Sequence, residues 1–90
     1  MKAIRVLYEG YVQGVGFRWT TKHIAKGYDV SGWVRNLPDG RVEVQVSGED
    51  DEVSAFLQAI RESTLGGHID TEHATELEIP TPSKGFRIVI

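Results

Sequence analysis

At 90 residues, with 40% hydrophobic and 26% charged side chains, the chain suits a single domain over residues 1–90 with one modest core. It has no cysteine, which excludes disulfides and thiolate metal sites, and no apolar run approaches the ~20 residues of a membrane span. A net charge of −3 argues against a general nucleic-acid binder, although residues 1–48 carry seven Lys/Arg against four Asp/Glu while residues 49–90 carry three against nine. The expectation is a cytoplasmic protein that works as a monomer, with neither membrane nor nucleic acid as a partner.

Lys2 to Glu9 alternates, with Ile4, Val6 and Tyr8 on one face and Arg5, Leu7 and Glu9 on the other, which predicts a strand. A glycine-rich segment follows, GYVQGVGFR, from Gly10 to Arg18. From Phe17, the residues Thr21, Ile24, Ala25 and Tyr28 recur at helical steps, and Gly27 stands near the expected end. Val30 to Leu37 and Arg41 to Ser47 read as two strands of a hairpin turned at Pro38-Asp39-Gly40.

Glu49-Asp50-Asp51-Glu52 then opens a helix whose apolar face is Val53, Phe56, Leu57 and Ile60; the four acids suit a helix N-terminus. Residues 66–79 read as loop and then a strand ending near Glu76 to Ile79. Pro80, Pro82 and Gly85 mark a break before a last short strand from Phe86 to Ile90. The order strand, helix, strand, strand, helix, strand predicts an α+β sandwich: an antiparallel sheet with both helices on one face, and a short extra strand at the C-terminal end.

The glycine-rich segment joins a strand end to a helix start, where amide protons lack helical partners and the helix dipole is positive. Glycines let the backbone curl so that these amides converge on an oxyanion, and phosphate is the natural guest. Gly16 is followed by Phe17-Arg18, so no Walker Gly-Lys-Ser/Thr is present, and Trp19 occupies the third glycine position of a dinucleotide fingerprint. Arg18 offers a planar fork matched to phosphate. Two structural alternatives stay open at this point: Arg18 paired with a surface carboxylate, and Asn36 serving only the hairpin reversal.

Other chemistry is weakly supported. His68, Asp70, Glu72 and His73 crowd one poorly patterned segment that reads as a solvated face rather than a metal site. Lys84-Gly85-Phe86 resembles the start of an RNA-binding strand motif, but Arg87-Ile88-Val89-Ile90 brings no second aromatic.

Gly10 to Arg18, taken with the run from Gly32 through Asn36, Gly40 and Val42 to Gly48, closely resembles the two signatures of the acylphosphatase family. The resemblance implies a ferredoxin-like βαββαβ sandwich and hydrolysis of acyl phosphates to a carboxylate and inorganic phosphate, with no metal and no organic cofactor. It implies that Arg18 binds the phosphoryl group and Asn36 orients the attacking water. The phosphate cradle would be the amides of Gln13, Gly14, Val15, Gly16, Phe17 and Arg18. Tyr8 stands where the family usually has an aliphatic residue, and Tyr11 where arginine is common. A noncatalytic anion-binding or regulatory domain on the same scaffold is the alternative, although such a domain needs neither Arg18 nor Asn36. No pattern in the sequence names the acyl group.

Overall fold

The computed structural model describes residues 1–79 and 84–90. Its elements are β1 (Lys2–Gly10), α1 (Phe17–Ala25), β2 (Val30–Asn36), β3 (Val42–Gly48), α2 (Asp50–Glu62), a short 3-10 turn (Thr64–His68), β4 (Ile69–Glu76) and β5 (Phe86–Ile88). The sheet order is β4-β1-β3-β2-β5. The first four strands in that order pair antiparallel throughout, as the hairpin and crossover pattern predicts. β5 adds to β2 in parallel, so the complete sheet is mixed.

Alternation places Val6 and Tyr8 of β1, Val34 of β2, and Val42, Val44 and Val46 of β3 under the helices, where all are buried. Helical spacing delivers Phe17 and Ala25 from α1, and Val53, Phe56, Leu57 and Ile60 from α2, to the same layer. Tyr8 is fully buried with its ring 5.1 Å from that of Phe17, and burial pushes its phenol well above the ordinary value. The first residue of α1 is thus packed directly on β1.

The strand expected at the end of residues 66–79 is β4, and it starts earlier than the sequence pattern suggests, at Ile69 directly after the 3-10 turn. β4 is an edge strand with mostly exposed residues, so its IDTEHATE sequence lacks the apolar alternation that reveals a strand. Pro80 and Pro82, expected to break the chain, lie outside the described residues. Gly85 follows them, and its carbonyl accepts a hydrogen bond from the Gly32 amide at 3.0 Å where β5 joins β2. No described helix is long and apolar enough to cross a membrane.

The sheet face away from the helices carries a charge cluster. Glu43 is only 3% exposed and accepts hydrogen bonds from Arg5 Nε and, at 2.6 Å, from Arg35 Nε. Arg35 also lies over Trp33, 5.2 Å from the ring centre. Burial disfavours the Glu43 carboxylate, but the bonds from Arg5 and Arg35 outweigh it and hold its pKa below the ordinary 4.5. The folded chain therefore binds this proton less readily than the unfolded chain. The resulting stabilisation is complete above about pH 4.5 and is lost as pH falls through the folded-state value. Glu43→Gln should cost about 1–3 kcal/mol of stability at pH 7, with the gap between the two proteins narrowing as pH falls through the folded-state value. Urea denaturation at three pH values checks this, and a constant gap across them would show that no proton linkage resides at Glu43.

Candidate active site

Register explains how two segments far apart in sequence meet. Tyr8 and Asn36 both stand opposite Val42, one from each side of β3, so they share one row of the sheet. Val42 and Tyr8 in that row are buried beneath the helices, so Asn36 belongs to the helix-covered face at the end of β2. The chain leaves β1 two residues after Tyr8 and must cross the end of β3 to begin α1. Its loop therefore passes the hairpin turn and reaches the neighbourhood of Asn36.

Gln13 secures that passage. Its side-chain Nε2 donates to the Leu37 carbonyl at 2.8 Å and to the Arg41 carbonyl at 3.0 Å. These carbonyls also close the turn itself, accepting from Gly40 N at 3.2 Å and Leu37 N at 2.8 Å respectively. A single carboxamide thus staples the loop to the turn that immediately follows Asn36. Sequence reasoning places Gln13 among the cradle amides and gives no sign of this side-chain role, because the partners are main-chain atoms of a distant turn.

Within the loop, Gly14 and Gly16 adopt φ of 79° and 78°, while every described non-glycine residue keeps φ negative. The sign of φ therefore alternates from Gly14 through Val15 and Gly16 to Phe17, the backbone pattern in which successive N–H groups turn toward a common point. A Cβ built at Gly14 or Gly16 would meet nothing within 4 Å. Glycine is demanded at these positions by handedness, not by crowding.

Gly16 is also the N-cap of α1, and its carbonyl accepts from Thr20 N at 3.0 Å. No side chain caps this helix and no acid lies in its first turn, whereas α2 has Asp50, Asp51 and Glu52 in that position. The positive end of α1 is thus left without an internal counter-charge.

These parts border one pocket of about 280 Å³, lined by Val12, Gly14, Gly16, Phe17, Arg18, Trp19, Asn36 and Ile88. Of the residues expected from sequence, Gly14, Gly16, Phe17, Arg18 and Asn36 are brought together on its wall. Gln13 stands behind the wall as the staple, and Val15, partly buried, packs against the core. Val12, Trp19 and Ile88 join the site with no motif in the sequence to mark them as lining residues.

Among the described residues, neither Arg18 nor Asn36 commits its side chain to a hydrogen bond or ion pair. The hairpin reversal is served instead by Asp39, whose carboxylate accepts from Arg41 N at 3.1 Å and Arg41 Nε at 2.8 Å. Both structural alternatives raised by the sequence are thereby answered: a surface carboxylate does not hold Arg18, and the turn does not occupy Asn36. The His68–His73 segment is also distributed. Glu72 pairs with Arg61 at 2.8 Å, His73 faces Glu9 at 3.6 Å, and no group of three possible metal ligands forms among the described residues.

The acylphosphatase family profile matches residues 4–88. The acylphosphatase of Geobacillus thermodenitrificans is 37% identical over 89 residues, covering 99% of this chain and 95% of that protein. The acylphosphatase of Listeria welshimeri is 52% identical over 58 residues, 64% of this chain and 62% of that protein. Among solved structures, the acylphosphatase from Bacillus subtilis aligns over the whole of both chains with a TM-score of 0.90 and 31% identity. Full-length HypF, in a phosphate- and nucleotide-bound form, aligns over 98% of this chain but 12% of its own, with a TM-score of 0.84 and 32% identity. With a family match spanning nearly all its length and a full-length structural relative, the chain belongs to the acylphosphatase family.

Proposed function

We infer that the protein hydrolyses acyl phosphates to a carboxylate and inorganic phosphate, and that the pocket at the start of α1 is where it does so. The observation that carries this assignment is the convergence on one pocket wall of an alternating-handed glycine backbone, an unpaired guanidinium and an unpaired carboxamide. In this reading the amides from Gln13 to Arg18 and the Arg18 fork hold the three non-bridging phosphoryl oxygens. Asn36 holds a water on the side of phosphorus opposite the acyl oxygen.

The water oxygen attacks phosphorus, the bridging P–O bond breaks, and its electron pair leaves on the carboxylate. The proton given up by water passes to a phosphoryl oxygen of the product. A carboxylate with a parent-acid pKa near ~4 departs without a general acid. This suits a wall that, among the described residues, has no carboxylate, imidazole or thiol. For the same reason we propose that the reaction proceeds without a metal, since the wall offers no anionic or imidazole ligand to hold one. Positioning and electrostatic stabilisation then supply the catalysis. One chain provides every group invoked, so we propose a monomeric enzyme, and we place it in the cytoplasm, where a cysteine-free domain needs no disulfide.

A noncatalytic anion-binding domain on the same scaffold is not favoured. Anion binding alone requires the loop, but gives no work to a carboxamide held free beside it in the same pocket.

Purified protein should release phosphate from benzoyl phosphate in excess EDTA, and Arg18→Ala should reduce kcat/KM by about 10³-fold or more. Arg18→Lys should recover little, because a point charge does not reproduce the fork. In Asn36→Ala, kcat should fall about 10²-fold while inhibition by inorganic phosphate stays within about twofold. Near-normal turnover in that variant would sink the water-orienting role. Gln13→Ala should lower kcat about tenfold through the displaced turn and lower stability by about 1–2 kcal/mol. Its effect on kcat should largely vanish in an Asn36→Ala background, and full additivity in that double-mutant cycle would refute the staple's role.

A further inference from the structure

We propose that Trp19 and Ile88 bind the acyl end of the substrate, and that the enzyme selects flat aromatic acyl phosphates over small aliphatic ones. This rests on the acyl phosphate reading above and concerns the half of the pocket that reading leaves unused. The lining divides by chemistry. Gly14, Gly16, Arg18 and Asn36 make a polar end, and Val12 and Phe17 are buried beneath it. Trp19 and Ile88 are the remaining members; they are large, apolar and open to solvent, at 65% and 37% exposure.

Their placement follows from elements already described. Trp19 follows Arg18 in the first turn of α1, and both side chains line the same pocket, so a group held by Arg18 shares that pocket with the indole. Four residues further along the helix, His23 stacks on Trp19 with ring centres 5.0 Å apart and planes inclined by 6°. The imidazole covers one face of the indole and fixes its plane, leaving the other face for a flat guest. Ile88 is delivered from the opposite side by β5. It pairs in parallel with Val34, and Val89 N donates to the Val34 carbonyl at 2.9 Å, two residues before Asn36.

In an acyl phosphate only the bridging oxygen separates phosphorus from the carbonyl carbon. A phosphoryl group seated on the loop therefore projects its acyl substituent only a short way, to the pocket's own rim. Among the described residues the one charged side chain on the lining is Arg18, so an acyl chain bearing its own carboxylate or phosphate finds no second ionic partner there. An aryl group finds an oriented indole to stack on and an aliphatic side chain to pack against, contacts that favour planar apolar groups.

The test is steady-state kinetics with benzoyl phosphate and acetyl phosphate on the intact chain. The wild type should show the higher kcat/KM for benzoyl phosphate. Trp19→Ala should reduce the benzoyl-to-acetyl ratio of kcat/KM about tenfold, mainly through KM, and Trp19→Phe should keep most of the ratio. Ile88→Thr, which preserves a β-branched strand residue, should reduce the ratio by a smaller factor. Inhibition by inorganic phosphate, which has no acyl group, should move less than about twofold in all three. If Trp19→Ala lowers both substrates equally, or leaves both unchanged, the indole does not serve the acyl group, and the proposal fails while the hydrolase reading stands. A wild-type protein that hydrolyses neither compound brings down the hydrolase reading and this proposal together.

Discussion

The site depends on one backbone constraint: φ must turn positive twice within a few residues just ahead of α1. Gly14 and Gly16 meet it, and Gly16 does so while serving as the helix's N-cap. An L-residue held in that left-handed region costs roughly 1–2 kcal/mol, so glycine is the residue that forms this curl without strain. The contrast with α2 is informative. There the first turn carries three acids of its own, which neutralise the helix end from within. At α1 the same electrostatic need is left to be met from outside the chain.

The rest of the fold holds that curl beside the right neighbour. The common row of Tyr8, Val42 and Asn36 fixes where the loop begins and where the carboxamide ends. Tyr8 against Phe17 anchors the helix start, and Gln13 fastens the intervening chain to the hairpin. Each tie is ordinary in strength, but together they relate a guanidinium and a carboxamide that no direct bond connects. Rigid secondary structure thereby sets a geometry that flexible side chains alone would leave loose.

Much of this is legible in the sequence because its signals are local. Alternation in β1 and β3, the spacing of Val53, Phe56, Leu57 and Ile60, and Pro38-Asp39-Gly40 each report their structure within a few residues. Arg18 and the glycines stand in a pattern whose amide chemistry can be reasoned out before any fold is known. The start of β4 escapes, although its presence does not, because an edge strand with a solvated outer face carries no apolar alternation. The direction of β5 is equally hidden, since a three-residue strand has no pattern that separates parallel from antiparallel pairing. Ile88 goes unnoticed for that reason: only the pairing with Val34 brings it to a pocket otherwise built from residues 12–36. Gln13 has a visible position but an invisible job, since its partners are carbonyls whose location depends on the whole hairpin.

The borders of the sheet have a bearing on the protein's behaviour in concentrated solution. A free strand edge is a template for any passing extended segment, including another copy of the same chain. Here one border, β5, is three residues long and offers too few amide and carbonyl groups for a durable graft. The other, β4, is longer but carries charged and polar side chains along most of its length, Asp70, Glu72, His73 and Glu76 among them, which a partner strand would have to accommodate or desolvate. Among the described residues, brevity on one flank and a charged, solvated edge on the other thus disfavour the addition of a further strand.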